Sequence, residues 1–314
     1  MGDVLAISVP FFALIFAGFA VRATGLFDNT GARTLAKFAF YVALPPMLFV
    51  KVAVSDPADI FNWGFVWRYE AATILLFVGS AFLSRLLFGF ERLTSGIFGL
   101  NIAYPNYGYI GVPLCILAFG DAAALPLALL LFADTIVLLM ILAYFAANTK
   151  QGLAQAVPRI LAEMMRNPLL IAVVAGLGYA AFNMQMPVIA SRTLNMLADA
   201  APPVALFALG ATLYGQPIRA AAAEVSVISL FKLIVHPVLV AGLFLLIPGQ
   251  DILWIKVAIL SACLPVAANV FMLADHYQTY AGRSASAIFA STLLASLTVP
   301  VVLYVLFTML GQTP

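Results

Sequence analysis

The residues best suited to chemistry lie inside two apolar stretches. One reads GIFGLNIAYPNYGYIGVPLCILAFG and carries Asn101, Pro105, Asn106, Tyr107, Gly108, Gly111 and Pro113 near its middle. The other reads VAILSACLPVAANVFMLADHY, with Ser261, Pro265 and Asn269 similarly centred. Proline removes a backbone donor and clashes with the preceding turn, so a helix is expected to break at Pro105 and again at Pro265. The residues after each proline then begin a new half-helix, whose free N–H groups and positive dipole end favour an anion without a fixed cation. The carboxamides of Asn106 and Asn269 and the Tyr107 hydroxyl add donors and acceptors at the same depth. Asn101, Gly108 and Ala268 complete the candidate binding set. The competing reading is an ordinary proline kink whose asparagines bond a neighbouring helix, and paired breaks at matched positions weigh against it.

Ionisable side chains within the apolar stretches are few: Asp134, Asp199, Lys232 and His236, with Glu70 and Asp275 near ends. An intramembrane charge is costly and by default marks a pathway or a pair. Asp199, three residues before Pro202, is the leading candidate for coupling to an ion. Lys232 and His236 are four apart and share a helix face. Lys232 has Asp199 or Asp134 as candidate partners or can snorkel, and His236 is of the type that titrates near neutral pH. A structural ion pair and a proton-coupling role both stay open. Cys115 and Cys263 fall in apolar segments and read as buried free thiols. His276 follows Asp275 at a membrane edge, where a solvated role outweighs metal binding. Nothing matches a hydrolase triad, a Walker loop, a zinc spacing or a dinucleotide fingerprint. The reading is therefore not an enzyme, with no cofactor or metal, and with H+ or Na+ as the candidate coupling ion.

The elements that must hold these residues follow from composition. Of 314 residues, 64% are AVILMFWYC and 9% are charged, with a mean hydropathy of +1.09. An average soluble domain is nearer half apolar and about a quarter charged. Too few charges remain here to cover a water-facing surface, which excludes a soluble enzyme, a disordered chain and a nucleic-acid binder. Hydropathy at about 20 residues per span gives ten segments: 4–22, 34–54, 65–88, 94–119, 122–147, 167–182, 189–214, 224–247, 252–275 and 283–310. The expected fold class is an all-α polytopic membrane protein. The pairs Pro45-Pro46 and Pro202-Pro203 are expected to disturb the second and seventh spans. Residues 4–21 have no preceding basic residue and no small-residue cleavage pattern, so they read as a retained first helix. Met1-Gly2 lacks Ser or Thr at position 6, which removes support for myristoylation.

Alternating the loops puts Arg22, Arg33, Lys37, Arg85, Arg92, Lys150, Arg159, Arg166, Arg219 and Arg283 on one side, against Lys51, Arg68, Arg192 and Lys256 on the other. Positive charge marks the cytoplasmic face, so odd-numbered loops are expected inside and both termini outside. The longest connection, 148–166, is then a cytoplasmic linker. Its Ala154, Val157, Ile160, Leu161 and Met164 suit a helix lying at the interface.

The halves of the chain repeat. Pro10 and Gly18 match Pro168 and Gly176; Arg33-Thr34-Leu35 matches Arg192-Thr193-Leu194; Pro45-Pro46 matches Pro202-Pro203. Pro105 matches Pro265, and Phe132-Ala133-Asp134-Thr135 matches Phe289-Ala290-Ser291-Thr292, all at offsets of 157 to 160 residues. Five spans per half is an odd number, so the second half must enter the membrane from the opposite side. The expectation is two inverted five-helix repeats, the plan that builds two related gates facing opposite sides.

The string PNYGYIGVPL resembles the fourth-span motif of the auxin efflux carrier family. LPVAANVFMLADHY, followed by SASAIFASTLLASLTVPVVLY, is similar to that family's ninth and tenth spans, including its bacterial branch of malonate and other carboxylate permeases. The resemblance covers all ten spans. It implies a fold related to sodium/bile-acid symporters, with spans 1, 2, 6 and 7 (1–60 and 167–215) as a scaffold. Spans 3–5 and 8–10 (61–147 and 216–314) would form a moving core in which the two broken helices cross. Substrate would bind beside that crossing and be carried by an elevator-like motion. Carried over by motif, Asn106 after Pro105 is the strongest position. Val266 after Pro265 departs from plant members, which tend to have a polar residue there, and Asn269 takes over that role. The short 148–166 loop also lacks the long insertion of many plant members.

The leading expectation is a secondary carrier of small mono- or dicarboxylates in a plasma membrane, a bacterial inner membrane by resemblance. The alternatives are a sodium-coupled symporter of a larger amphipathic anion, and a sensor or channel-like protein that does not cycle. Its partners are the anion and the bilayer, with no nucleic acid, and a homodimer is the oligomer this reading allows.

Overall fold

The computed structural model describes residues 2–147, 165–216 and 221–311, together with Pro158 and Ala162. Most of the 148–166 linker, with the interfacial helix expected on it, and Arg219 lie outside the described residues. The fold is all-helical, and among the described residues the one β-type pairing is an isolated bridge between Pro105 and Val266.

The helices are α1 (Gly2–Ala23), α2 (Asn29–Phe38), α3 (Leu44–Val52), α4 (Trp63–Phe88), α5 (Arg92–Ala103), α6 (Val112–Phe119) and α7 (Ala124–Ala146). They continue with α8 (Pro168–Ala181), α9 (Val188–Leu213), α10 (Ala222–Leu230), α11 (His236–Leu246), α12 (Ile252–Ala262), α13 (Asn269–His276) and α14 (Ala281–Met309). Seven helical stretches are long and apolar enough to cross a bilayer: Gly2–Ala23, Asn29–Val52, Trp63–Phe88, Asp121–Ala146, Val188–Leu213, Ala222–Leu246 and Ala281–Met309. Tyr107–Phe119, Pro168–Ala181 and Ile252–Ala262 are apolar but shorter. Large side chains such as Phe82, Leu86, Phe182 and Leu246 point outward from this bundle, which makes it a multi-pass membrane protein. Polar N-caps mark several helix ends, where Asp28, Asn62, Asn167 and Asp251 each accept a backbone N–H, supplying partners that a helix start lacks.

Proline explains the local departures from regular helix. Segments of π-helix at Ala39–Ala43, Tyr107–Gly111 and Phe231–Val235 each lead into a proline two residues later: Pro45, Pro113 and Pro237. The wider turn lets the chain absorb the donor that proline lacks. Pro202-Pro203 behaves differently from its repeat mate, because α9 runs through both prolines as one helix of 26 residues. The second segment shows the expected disturbance as a π-turn, while in the seventh the helical hydrogen-bond pattern runs on through both prolines.

Small residues let helices approach closely. At Gly18 an added Cβ would lie 2.0 Å from the Phe207 carbonyl oxygen, and at Gly210 it would lie 1.8 Å from that of Ile15. These two glycines set the crossing of α1 with α9. Gly176 on α8 packs against Val52 and the Phe49 carbonyl of α3.

Contacts sort the loops into two groups. Lys51 pairs with Asp121 at 2.7 Å, Asn62 Nδ2 donates to Gln250, Arg68 to the Pro248 carbonyl and Lys256 to that of Gly311. Separately, Arg283 pairs with Glu224 at 3.0 Å, Tyr280 donates to the same carboxylate, Thr94 bonds Thr279, and Phe90 packs on Tyr280. The first group ties together the stretches around Lys51–Asn62, Asp121, Pro248–Lys256 and Gly311, and the second those around Phe90–Thr94, Glu224 and Thr279–Arg283.

Candidate functional site

The helical ladder stops at Ala103 before Pro105, and at Ala262 before Pro265. It resumes at Tyr107 and Asn269. The two intervening segments run antiparallel, with Pro105 opposite Val266. Asn106 N–H donates to the Pro265 carbonyl at 2.9 Å, and Ala267 N–H to the Tyr104 carbonyl at 3.0 Å. In such a pair the bonds are made by the flanking residues, so Pro105 stands where no donor is needed. Val266 N–H turns the other way and donates to Ser291 Oγ at 3.1 Å. The freed backbone groups are thus satisfied inside protein, the condition for irregular chain at membrane depth.

What remains is a set of unfilled donors. Asn106 is 2% exposed; its Oδ1 accepts the Tyr109 N–H at 3.3 Å, while its Nδ2 is buried with no partner. The N–H groups of Gly108 and Asn269 take no partner among the described hydrogen bonds. Asn269 Nδ2 is 3.5 Å from the Tyr104 hydroxyl, which bonds Thr135 Oγ1 at 3.1 Å. Beside them lies a cavity of about 30 Å³. Tyr104, Asn106, Gly108 and Asn269 line it together with Phe40 and Asn167. Tyr109 also lines it; its ring stacks on Phe40 at 6.0 Å and its hydroxyl donates to the Ala36 carbonyl.

Behind Tyr107 is a buried charged cluster. The Tyr107 hydroxyl is 2.9 Å from Asp134 Oδ2 and 3.0 Å from the Tyr69 hydroxyl. Asp134 interacts electrostatically with Lys232 and with the buried carboxyl of Glu70. Lys232 Nζ lies 3.0 Å from His236 Nδ1 and 3.4 Å from the Ala103 carbonyl, the last of α5. His236 Nε2 is 3.1 Å from Thr73 Oγ1. With Lys232 as an ammonium, which only donates, His236 Nδ1 accepts and the ring is neutral with its proton on Nε2, towards Thr73.

Of the residues singled out in the sequence, Pro105, Asn106, Tyr107, Gly108, Pro265 and Asn269 come together at the crossing. Ala268, half-buried, precedes Asn269 as the cap of α13. Asn101 does not join them; its Nδ2 bonds the Ile97 carbonyl and Ser284 Oγ on the α14 side. Lys232, His236 and Asp134 form one cluster. Asp199 is exposed on α9 and makes no described hydrogen bond with Lys232 or His236. Sequence reasoning named Glu70 only as an ionisable residue near the end of a segment, and gave no role to Tyr69, Thr135, Asn167 and Ser291. For Thr135 and Ser291 a signal existed, since both lie in the repeated Phe-Ala-x-Thr strings.

Comparison with known proteins gives the family. A family model described as "Membrane transport protein" matches residues 4–303. A Rhizobium meliloti (strain 1021) protein named "Putative malonate transporter" is 32% identical over 315 aligned positions, covering 98% of this chain and 97% of the relative. An uncharacterised transporter of Methanothermobacter thermautotrophicus is 25% identical, covering 91% of this chain and 93% of its own. The Escherichia coli K12 uncharacterised transporter YfdV is 22% identical, with 97% of both chains covered. A family model that spans the chain almost end to end, with a relative 32% identical over nearly the whole length, identifies the chain as a member of the auxin efflux carrier family of membrane transport proteins.

Proposed function

We propose that this chain is a secondary carrier of small organic anions, mono- or dicarboxylates, which bind at the pairing of Pro105 with Val266 and cross by an elevator-like motion. The observation that carries this reading is the set of donors without partners, Asn106 Nδ2 and the Gly108 and Asn269 N–H groups, beside the cavity at that pairing. Such groups at half-helix N-termini suit a carboxylate. The relative named for malonate supports the substrate class.

In this reading the chain spans the membrane ten times as two inverted five-helix repeats, with broken helices in the fourth and ninth spans. Residues 1–60 and 167–215 form the scaffold, and 61–147 with 216–314 the moving core. Repeat-matched Gly18 and Gly176 support it, because each packs closely against a helix of the other half, α9 and α3 respectively. The cavity lies on the boundary between the two sets, Phe40 and Asn167 belonging to the scaffold. At roughly 30 Å³ it has room for a water or two, and in this reading a dicarboxylate enters as core and scaffold part. Both termini face outward, from a bacterial inner membrane.

The test is counterflow of labelled malonate and other small carboxylates in proteoliposomes, with and without sodium. Exchange accelerated over empty liposomes, independent of sodium and lost in Asn106→Ala, is expected. Exchange that requires sodium would favour the symporter of larger amphipathic anions. No exchange from folded protein across the panel would overturn the small-carboxylate reading.

A further inference from the structure

The crossing leaves Glu70 unused. Both of its oxygens, and Oδ1 of Asp134, are buried and receive nothing from any N–H or O–H donor among the described residues. The two carboxyls are buried neighbours that act on each other electrostatically. Carboxylates only accept, and like charges buried as neighbours do not both ionise.

The surroundings give the same count. Around the pair are Tyr69 on α4, Tyr104 and Tyr107 from the link between α5 and α6, and Lys232 from the turn before α11, while Cys115 neighbours Tyr69, and His236 on α11 and Cys263 after α12 neighbour Lys232. With Lys232 as an ammonium, the His236 ring that accepts from it and meets Thr73 is neutral. One ammonium balances one carboxylate. The second carboxyl is buried in the protein without a counter-charge unless it is protonated. The link to the substrate position is short: Tyr107 follows Asn106 in the chain, and its hydroxyl rests on Asp134.

We propose that the Glu70–Asp134 pair is an exchangeable proton site coupled through Tyr107 to the anion at the crossing, so that a proton travels with each anion. The proposal rests on the carrier reading. In each cycle a proton from water on the loading side adds to the carboxylate and returns to water on the unloading side. No bond in the anion changes and no electron moves.

The test uses full-length protein in proteoliposomes holding labelled malonate outside, with an inside-alkaline gradient imposed. One coupled proton raises equilibrium accumulation about tenfold per pH unit. Wild type is expected to show that rise above empty liposomes, while Glu70→Gln keeps counterflow and loses the response to the gradient. Counterflow with no effect of the gradient, accumulation driven by a sodium gradient instead, or a Glu70→Gln response equal to wild type would each overturn the proposal. If wild type shows no counterflow, the carrier reading fails, and the proton site is judged separately by infrared difference spectra of the purified protein. The C=O stretch of a protonated carboxylic acid, present at neutral pH in wild type and missing from both Glu70→Gln and Asp134→Asn, would uphold the site. Its absence from wild type would refute it.

Discussion

Asn106→Asp separates the two jobs of one side chain. Oδ1 caps the half-helix by accepting the Tyr109 N–H at 3.3 Å, and Nδ2 faces the cavity region without a partner. Aspartate keeps the acceptor and is as good a cap, but it puts an anionic oxygen where the donor stood. A hydrogen bond to a charged group contributes about 1.5–3 kcal/mol, so losing it weakens carboxylate binding roughly 10- to 150-fold. Asn106→Ala is expected within that range. Asn106→Asp, which adds repulsion between like charges, is expected beyond it. Stability should run in the opposite order. Alanine also removes the cap, at about 0.5–1 kcal/mol for a bond this long, while aspartate unfolds near the wild-type temperature. Scintillation-proximity binding of labelled malonate to purified protein, alongside thermal unfolding in the same detergent, reads both quantities. An Asn106→Asp variant that binds malonate as tightly as wild type would refute the assignment of Nδ2 as an anion donor.

Other perturbations follow from the packing. Gly210→Ala places a Cβ 1.8 Å from the Ile15 oxygen, 3.4 − 1.8 = 1.6 Å inside ordinary contact. Thermal unfolding should show a loss of about 1–3 kcal/mol, while Gly242→Ala, with open space around it, should be silent. Ser291→Ala strands the buried Val266 N–H and should destabilise by about 1–3 kcal/mol; Ser291→Thr, which keeps a hydroxyl, should recover most of it. Lys232→Met removes the one ammonium facing Glu70 and Asp134 and should cost about 3–5 kcal/mol. Adding Asp134→Asn should restore part of that loss, and a double variant less stable than either single one would refute the pairing.

Hydropathy located the helices because lipid allows few charges in any segment that faces it, and the helices lie within a few residues of the apolar segments. Proline chemistry found the stops before Pro105 and Pro265, since a missing donor acts within one turn and is local to the sequence. At Pro202-Pro203 the same argument does not tell whether the helix is interrupted: those residues sit inside α9, which runs on through both and packs against α1 and α3. Asp199 and Glu70 exchanged their expected places for a related reason. Hydropathy gives depth along a helix but not which way a side chain turns, and here Asp199 turns outward while Glu70 is buried. The proximity of Glu70 to Asp134 joins residues 64 positions apart, a pairing that no spacing rule contains. Asn167 is a further case: it reads as the cap of α8 and lines the cavity only because α8 is packed there.

The central claim is that one site at the crossing serves both sides of the membrane, and side-specific labelling tests it most directly. In a Cys115→Ala, Cys263→Ser background, which removes the two buried free thiols, Ala268→Cys places one thiol beside Asn269. The account predicts that an impermeant maleimide labels it from either face of oriented vesicles, and that malonate slows labelling from both. Labelling confined to one face, unchanged by malonate, would contradict it.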